Sequence, residues 1–318
     1  MDHHHIEPLT TPVVPYARPP PHIWLITDLA SALGRQLATQ ALAKGHRIAG
    51  GCKPELAVAD TSETLTQLKH EFGGLGGDTV IIEELDITNK PLCQSFVAGV
   101  IAEWGRIDVL VCCSALSIVG AIEEASEWHI REQFETSFYG PVNMITTILP
   151  IMRKQRSGHI ITVTGITGQM GTPSLGLLSS ASHAIEGYCE ALAFEIAPYG
   201  IKVTIAEPTL EATVLANPII FTKQLEPYRK GICAQVRTML TCSDLAHELL
   251  VKDTAFAIIS IAGVANPPGR IVAGAEAIEQ TRDKLRTVSE EMEDMLEVSF
   301  AADAVPLSDR ERRELAGE

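Results

Sequence analysis

The chain has 318 residues, of which 46 % are hydrophobic, 20 % are charged and only 5 % are aromatic. This composition supplies enough apolar side chains for a packed core and excludes intrinsic disorder of the whole chain. The formal net charge of -15 and the isoelectric point near 5.1 argue against nucleic acid and anionic membrane surfaces as partners, because the long-range field repels both.

The seven cysteines lie in apolar segments and have neither the spacing of a metal site nor that of a disulfide framework. No apolar run reaches the roughly 20 residues of a membrane span, and the first residues lack a basic region followed by an apolar core. The sequence therefore predicts a soluble cytoplasmic protein with reduced thiols and no metal site.

Residues 1–21 are rich in proline, which predicts an extended, disordered arm. From residue 22 onward, short apolar runs alternate with longer amphipathic stretches, a pattern typical of βα units that build a parallel sheet. The predicted strands are 22–27, 47–51, 80–85, 108–113, 158–164 and 202–206. The predicted helices are 29–44, 62–71, 91–104, 126–152 and 174–197.

After Pro208 the pattern changes. It predicts an irregular stretch to about residue 240, helices near 243–251 and 254–264, a strand at 270–273 and a charged helix from Ala275. The glycine cluster at 73–77 follows a helix and precedes a strand, so we expect a flexible loop there. The predicted fold is α/β: a three-layer, doubly wound Rossmann-type parallel sheet in a single domain at 22–274, followed by a C-terminal helix and tail at 275–318.

Several separated segments follow one another in a recognisable order. Asp86 and Ile87 come after the third strand, residues 158–161 (GHII) open the fifth, and residues 201–208 (IKVTIAEP) form the sixth. Residues 266–274 (NPPGRIVAG) precede and form the last strand. Over about residues 22–213 the sequence resembles the short-chain dehydrogenase/reductase family, and this resemblance implies a dinucleotide cofactor and carbonyl reduction.

The cofactor turn of that family reads T-G-x-x-x-G-x-G. Here it spans residues 27–34 (TDLASALG), so that Thr27 and Gly34 are kept while Asp28 and Ala32 replace two glycines. A carboxylate about 4 Å from a pyrophosphate charge costs roughly 4 kcal/mol at an effective dielectric of about 20. Asp28 escapes this cost only if it binds a ribose hydroxyl instead.

Other parts of the family's cofactor site are partly kept. Asp86 and Ile87 match the pair that holds adenine, and Lys53 follows the second strand, where NADP-preferring members place basic residues. The family's N-N-A-G segment is replaced by residues 112–115 (CCSA), where we expect tight packing of Cys112 and Cys113 rather than reactive thiols. The sequence leaves two possibilities open, no cofactor or NADP.

The resemblance implies a catalytic relay of four residues. A tyrosine protonates the carbonyl of the substrate, a lysine four residues later lowers the pKa of the tyrosine, and a serine and an asparagine complete the relay. The four positions hold Leu178, Ser182, Gly165 and Ser137 in this chain. Leu178 has no proton to give, and Ser182 has neither the charge nor the reach of a lysine. The chain is thus identified as a degenerate member that lacks the Asn-Ser-Tyr-Lys tetrad.

The expected substrate pocket combines neutral hydrogen-bonding groups with leucine, which suits an apolar small-molecule substrate. Its predicted lining is Ser137, Thr164, Thr167, Gln169, Leu178, Ser179, Ser182 and Thr213.

Three functions stay open. The first is a non-redox cyclase, isomerase or lyase of secondary metabolism with an open pocket, by analogy with recruited family members. The second is a pseudoenzyme subunit with a collapsed cleft, paired with an active relative through the long helices. The third is an NADPH-dependent reductase with an atypical acid, for substrates such as an iminium. A homo-oligomer or a hetero-oligomer is expected, because small residues on the helix at 174–197 permit close packing.

Overall fold

The computed structural model describes residues 21–53, 61–73, 78–114, 116–215, 217–241 and 246–301. The predicted arm, except for its last residue, and the end of the predicted tail lie outside these ranges, as do residues 74–77 of the glycine cluster. Within the described ranges, none of the helices is long and apolar enough to cross a bilayer.

Seven strands form one parallel sheet in the order β3-β2-β1-β4-β6-β7-β9, and a separate pair joins β5 to β8. All six strands predicted before Pro208, and the last strand near residue 270, are confirmed. The strands are β1 (Ile23–Ile26), β2 (Arg47–Cys52), β3 (Val80–Glu84), β4 (Val109–Cys112), β5 (Ser117–Val119), β6 (Gly158–Val163), β7 (Ile201–Pro208), β8 (Ile219–Phe221) and β9 (Arg270–Ala273).

Helices cover both faces of this sheet, as predicted for a doubly wound α/β fold. One face packs on α3, α5 and α6 around Leu110 and Ile160, and the other packs on α1, α2 and α9 around Trp24 and Ile48. The helices are α1 (Ala32–Ala43), α2 (Thr61–Gly73), α3 (Lys90–Trp104), α4 (Glu127–Phe134), α5 (Gly140–Gln155), α6 (Gly176–Ile196), α7 (Leu210–Val214), α8 (Ile232–Thr241), α9 (Ala246–Ile261), α10 (Ala275–Asp294) and α11 (Leu296–Ala301).

The strand order reverses beside β1, whose neighbours are β2 and β4. In open α/β sheets, ligands bind outside the carboxyl ends of the strands at such a switch point. The ends of β1 and β4 therefore mark where a site is to be sought.

Three predicted helices are corrected. The helix predicted at 126–152 is interrupted by a π-helical turn at Glu135–Tyr139 between α4 and α5, because Pro141 in the first turn of α5 has no N–H to continue the bonding ladder. The helices predicted near 243–251 and 254–264 form one helix, α9, since Val251 and Ala255 on either side of the expected break are buried against the body. The stretch predicted to be irregular contains α7, β8 and α8.

Candidate functional site

The turn after β1 folds the Asp28 carboxylate back onto its own backbone. Asp28 Oδ1 accepts hydrogen bonds from the N–H groups of Ala30 and Ser31, at 2.9 and 3.2 Å. These donors lie just before α1, and helix N-termini with free N–H groups are the anion sites of this fold class. Asp28 thus supplies an anion to the turn from within the chain, and it does not stand ready for a ribose hydroxyl.

Gly34 and Ser31 hold this turn in shape. Ser31 is the N-cap of α1, because its Oγ accepts from the Gly34 N–H at 3.1 Å and donates to the Asp28 carbonyl at 3.0 Å. A Cβ on Gly34 would lie 1.7 Å from the same carbonyl oxygen, so only glycine fits. Gly34 is explained by this close backbone approach without any bound nucleotide, and Ala32, at the first helical position, is exposed.

Thr27 joins the end of β1 to the segment after β4. Its Oγ1 accepts from the N–H groups of Cys113 and Ser114 at 3.0 and 3.1 Å, and from the Ser114 hydroxyl at 2.8 Å. Burial, with a smaller effect of Asp28, raises the pKa of Cys113 to about 12, and burial raises the pKa of Cys112 well above its ordinary value. Both cysteines are buried thiols that pack at the strand end, as the sequence predicted.

The basic residue after β2 has a partner in the protein. Lys53 Nζ lies 3.2 Å from Glu132 Oε1. This ion pair links the end of β2 to α4. A 2′-phosphate at Lys53 would compete with that carboxylate. Asp86 Oδ1 accepts from the N–H and hydroxyl of Thr88, and Ile87 is buried in the core.

Three of the four predicted tetrad positions border one small cavity. Leu178 and Ser182 on α6 and Ser137 in the π-helical turn border it, but Gly165 does not. Its volume of about 20 Å³ is room for about one water molecule. Its lining is Cys112, Ser114, Ser137, Pro141, Thr162, Val163, Thr164, Leu178, Ser182, Ile185 and Thr213. Of the predicted pocket, the structure thus brings together Ser137, Thr164, Leu178, Ser182 and Thr213, while Thr167, Gln169 and Ser179 lie outside this lining.

The hydroxyls of this cavity are bonded to the protein. Ser182 Oγ lies 3.2 Å from Thr167 Oγ1 and donates to the Thr164 carbonyl at 3.4 Å. Ser137 Oγ accepts from Gln133 Nε2 at 2.9 Å, and Gln133 is itself completely buried. Gln133 is not among the predicted site residues, because its position on the predicted amphipathic helix gives no sign that it is buried.

The segment after β7 covers the cavity. Thr213 on α7 borders it, and β8 pairs in parallel with β5. Glu124 stabilises this segment, because its carboxylate accepts hydrogen bonds from Thr222 Oγ1 at 2.9 Å and from the Leu225 N–H at 2.8 Å. Burial opposes ionisation of Glu124, yet these hydrogen bonds outweigh it and lower its pKa.

A buried acidic cluster lies directly behind the cavity, and it too was missed from the sequence. Arg270 on β9 pairs with Glu186 on α6 at 2.6 Å and with Glu207 on β7. Thr164 Oγ1 donates to Glu186 at 2.6 Å, and Gln169 Nε2 donates to Glu207 at 2.9 Å. Both carboxylates pair with the arginine, so the cluster joins α6, β7 and β9 behind the cavity. A charged residue inside the apolar run of β7 was the available signal.

Ser179 and His183 on α6 contact the protein backbone. Its Oγ accepts from the Thr172 N–H at 3.3 Å, and His183 Nδ1 lies 2.8 Å from the backbone oxygen of Ser179. Elsewhere in the described segments, no three His, Cys, Asp or Glu side chains are grouped in a way that could hold a metal ion.

Comparison with known proteins identifies the family of this chain. The sequence signature of the short chain dehydrogenase family matches residues 22–223. Oxidoreductase BOA17 of Botryotinia fuckeliana (strain B05.10) is 30 % identical over 282 residues, which cover 88 % of this chain and 98 % of that protein. The chain belongs to the short-chain dehydrogenase/reductase family.

Solved structures share the fold. A short-chain dehydrogenase from Streptomyces avermitilis superimposes with a TM-score of 0.77 at 28 % identity, covering 88 % of this chain and 98 % of its own. A short-chain dehydrogenase/reductase from Burkholderia phymatum, solved in complex with NAD, gives a TM-score of 0.68 at 16 % identity over 85 % of this chain and 95 % of its own.

The residues of this chain do not fit a dinucleotide such as the NAD of the Burkholderia phymatum structure. Asp28 occupies donors of the turn, Lys53 is paired with Glu132, and Leu178 and Ser182 offer neither acid nor ammonium group. The kept residues have structural partners of their own. We therefore derive no chemical step through a nicotinamide cofactor.

Proposed function

We propose that this chain is a non-redox member of its family: a reductase scaffold that transfers no hydride and works as a subunit beside an active relative. The observation that carries the proposal is the Asp28 carboxylate on the N–H groups of Ala30 and Ser31. Two negative charges of a pyrophosphate would have to approach this fixed negative charge. At about 4 Å each such pair costs roughly 4 kcal/mol, which is about a thousandfold in affinity.

The cavity supports the same proposal. A space of about 20 Å³ does not hold a substrate, and its hydroxyls are bonded to neighbouring protein groups. A cyclase, isomerase or lyase would need an open pocket, and the relatives' names give that interpretation no support either.

Exposed aromatic side chains support the role of a subunit. Trp128 on α4, Tyr139 in the π-helical turn and Phe194 on α6 are exposed by 51, 50 and 85 %. Exposed apolar patches mark association sites. We propose that a partner buries these three residues.

The second candidate is a reductase that uses NADP and an atypical acid. It is favoured by the similarity to Oxidoreductase BOA17, which extends over 98 % of that protein and matches the reductase class better than the cyclase class. This candidate requires a substrate such as an iminium, which needs a hydride but little protonation. It also requires Asp28 to leave the turn.

A turnover assay with and without an active relative tests the proposal. Purified chain with NADPH and a cyclic imine or an activated ketone should consume no NADPH, because Leu178 and Ser182 do not replace the family's tyrosine and lysine and Asp28 opposes the nucleotide. Mixed with an active family member of the same organism, it should form a mixed assembly in native mass spectrometry and change that member's turnover or melting temperature.

The active family member alone serves as the positive control. NADPH consumption proportional to the amount of this chain alone would establish the reductase candidate instead. Failure to form any mixed assembly would contradict the role as a subunit.

A further inference from the structure

The second half of α10 stands away from the body of the protein. Only the first turns are buried, at Ala277 and Thr281, where the helix contacts β9 and the turn Ile166–Gly168. Every residue from 282 to 296 is exposed. A helical segment of this length is marginal in water when nothing packs against it, so a partner is expected.

The exposed part carries an apolar seam with heptad spacing. Leu285, Val288, Met292 and Met295 follow one another at steps of three, four and three residues, and they are exposed by 60, 44, 59 and 58 %. Steps of this kind place side chains on one stripe and are the pattern of a two-stranded coiled coil. Ile278 and Thr281 continue the same stripe towards the body.

The charges beside the seam change sign along the helix. Before the midpoint, residues 282–286 carry Arg282, Lys284 and Arg286 together with Asp283, so the basic side chains outnumber the acidic one. The part after it carries Glu290, Glu291, Glu293 and Asp294. A parallel pair of such helices would place acid beside acid. An antiparallel pair places the basic part of one helix beside the acidic part of the other.

We propose that α10 pairs in antiparallel fashion with α10 of a second copy of this chain. In the two-fold register centred between residues 286 and 287, Leu285 lies opposite the partner's Val288, and Met292 lies opposite the partner's Thr281. Lys284 then flanks the seam beside the partner's Glu291, and the symmetry repeats this pair. One surface that complements itself in this way is the mark of a two-fold interface.

Neither Lys284 nor Glu291 forms an ion pair within the described part of α10. The ion pairs along the described part of α10 join Arg286 to Asp283 and to Glu290, which lie outside the seam. Lys284 and Glu291 are seven residues apart and cannot pair within one helix. The proposal is independent of the absence of hydride transfer, since it concerns a surface far from the cavity.

Sedimentation equilibrium of the full chain over a wide concentration range tests it. The wild type should form a dimer, and Leu285→Glu should weaken it by about a hundredfold because a charge enters the seam. Lys284→Glu alone should weaken the dimer by about tenfold, since two like-charge pairs replace two attractive ones. The double variant K284E/E291K should return to within about threefold of the wild type.

Glu293→Lys is the matched control, because it makes the same charge change as E291K at a position that faces away from the seam. It should leave the dimer unchanged. A monomeric wild type, or a dimer that Leu285→Glu does not weaken, would overturn the pairing through α10. A charge-swapped variant as weak as Lys284→Glu would overturn the antiparallel register.

Discussion

At Gly165 the backbone takes φ 72° and ψ 176°, a region that is essentially restricted to glycine. The family motif predicts that this residue takes the position of the catalytic serine. A Cβ there would lie 2.2 Å from Thr213 Oγ1, on the α7 segment that covers the cavity. Any side chain at residue 165 would therefore strain both the backbone and its contact with α7.

The conformation of Gly165 predicts an unusual cost for the smallest side chain. Gly165→Ala should lower the free energy of unfolding by about 3 kcal/mol, from backbone strain of about 1–3 kcal/mol and the contact with Thr213. Urea unfolding measures it. Gly187→Ala is the matched control, because a Cβ on this exposed glycine of α6 meets nothing within 4 Å.

The control should gain about 0.5–1 kcal/mol from helix propensity. Equal stability of Gly165→Ala and the wild type would contradict the assigned conformation.

At the scale of elements, β6 and β7 are joined by a buried histidine. His159 on β6 is 4 % exposed, and its Nε2 lies 2.9 Å from Thr204 Oγ1 on β7. Burial first, and the nearby charge of Lys202 second, lower the pKa of His159 to about 4. The folded protein thus keeps this imidazole neutral where the unfolded chain, with a pKa near 6.5, binds a proton.

This difference predicts a pH dependence of stability. Below about pH 6.5 the unfolded chain takes up a proton that the folded chain does not, so the free energy of unfolding falls until the folded pKa near 4 is reached. Between pH 7 and pH 5 the contribution of His159 is a loss of about 2 kcal/mol. In His159→Gln the amide does not titrate, so urea unfolding should show a loss smaller by about that amount.

His70→Gln, on the exposed face of α2, makes the same substitution outside the core and should leave the pH dependence as it is in the wild type. A His159→Gln variant that loses as much stability as the wild type between these two pH values would show that His159 titrates normally in the fold.

The elements that the sequence predicts well are those with a local cause. Alternation of short apolar runs and amphipathic stretches located every strand of the large sheet, because strands buried on both faces read as continuous apolar runs. The π-helical turn was missed because an apolar stripe continues through it. The pairing of β5 with β8 was missed because it joins segments about a hundred residues apart, and three-residue strands leave no local pattern.

In the candidate site, too, the sequence predicts the features with a local cause and misses those that depend on the fold. The tetrad substitutions follow from counting along the family motif, which locates Leu178 and Ser182 without coordinates. What Asp28 does with its carboxylate depends on the rotamer and on the path of the turn, and the sequence left ribose binding open. The partners of Glu186 and Glu207 come from β9, far along the chain, and only the fold brings Arg270 to them.

At the scale of the molecule, the contacts of Asp28, Lys53 and the segment after β7 all lie near the carboxyl ends of the strands at the switch point of the sheet. Asp28 accepts from the N–H groups of the turn after β1, and Lys53 forms an ion pair with Glu132. The segment after β7 borders a cavity of about 20 Å³. The net charge of -15 adds a long-range field that opposes anionic ligands. We propose that this chain keeps the packing of its family while its own side chains occupy the ligand sites.

Titration of NADPH by calorimetry, with the wild type, Asp28→Gly and Asp28→Asn side by side, tests this central claim. The wild type should show no saturable binding up to about millimolar NADPH, whereas Asp28→Gly should bind at least about a hundredfold more tightly, since the charge and the internal acceptor are both removed. Asp28→Asn keeps the acceptor oxygen and removes the charge, so it should fall between them. Micromolar binding of NADPH by the wild type would contradict the account.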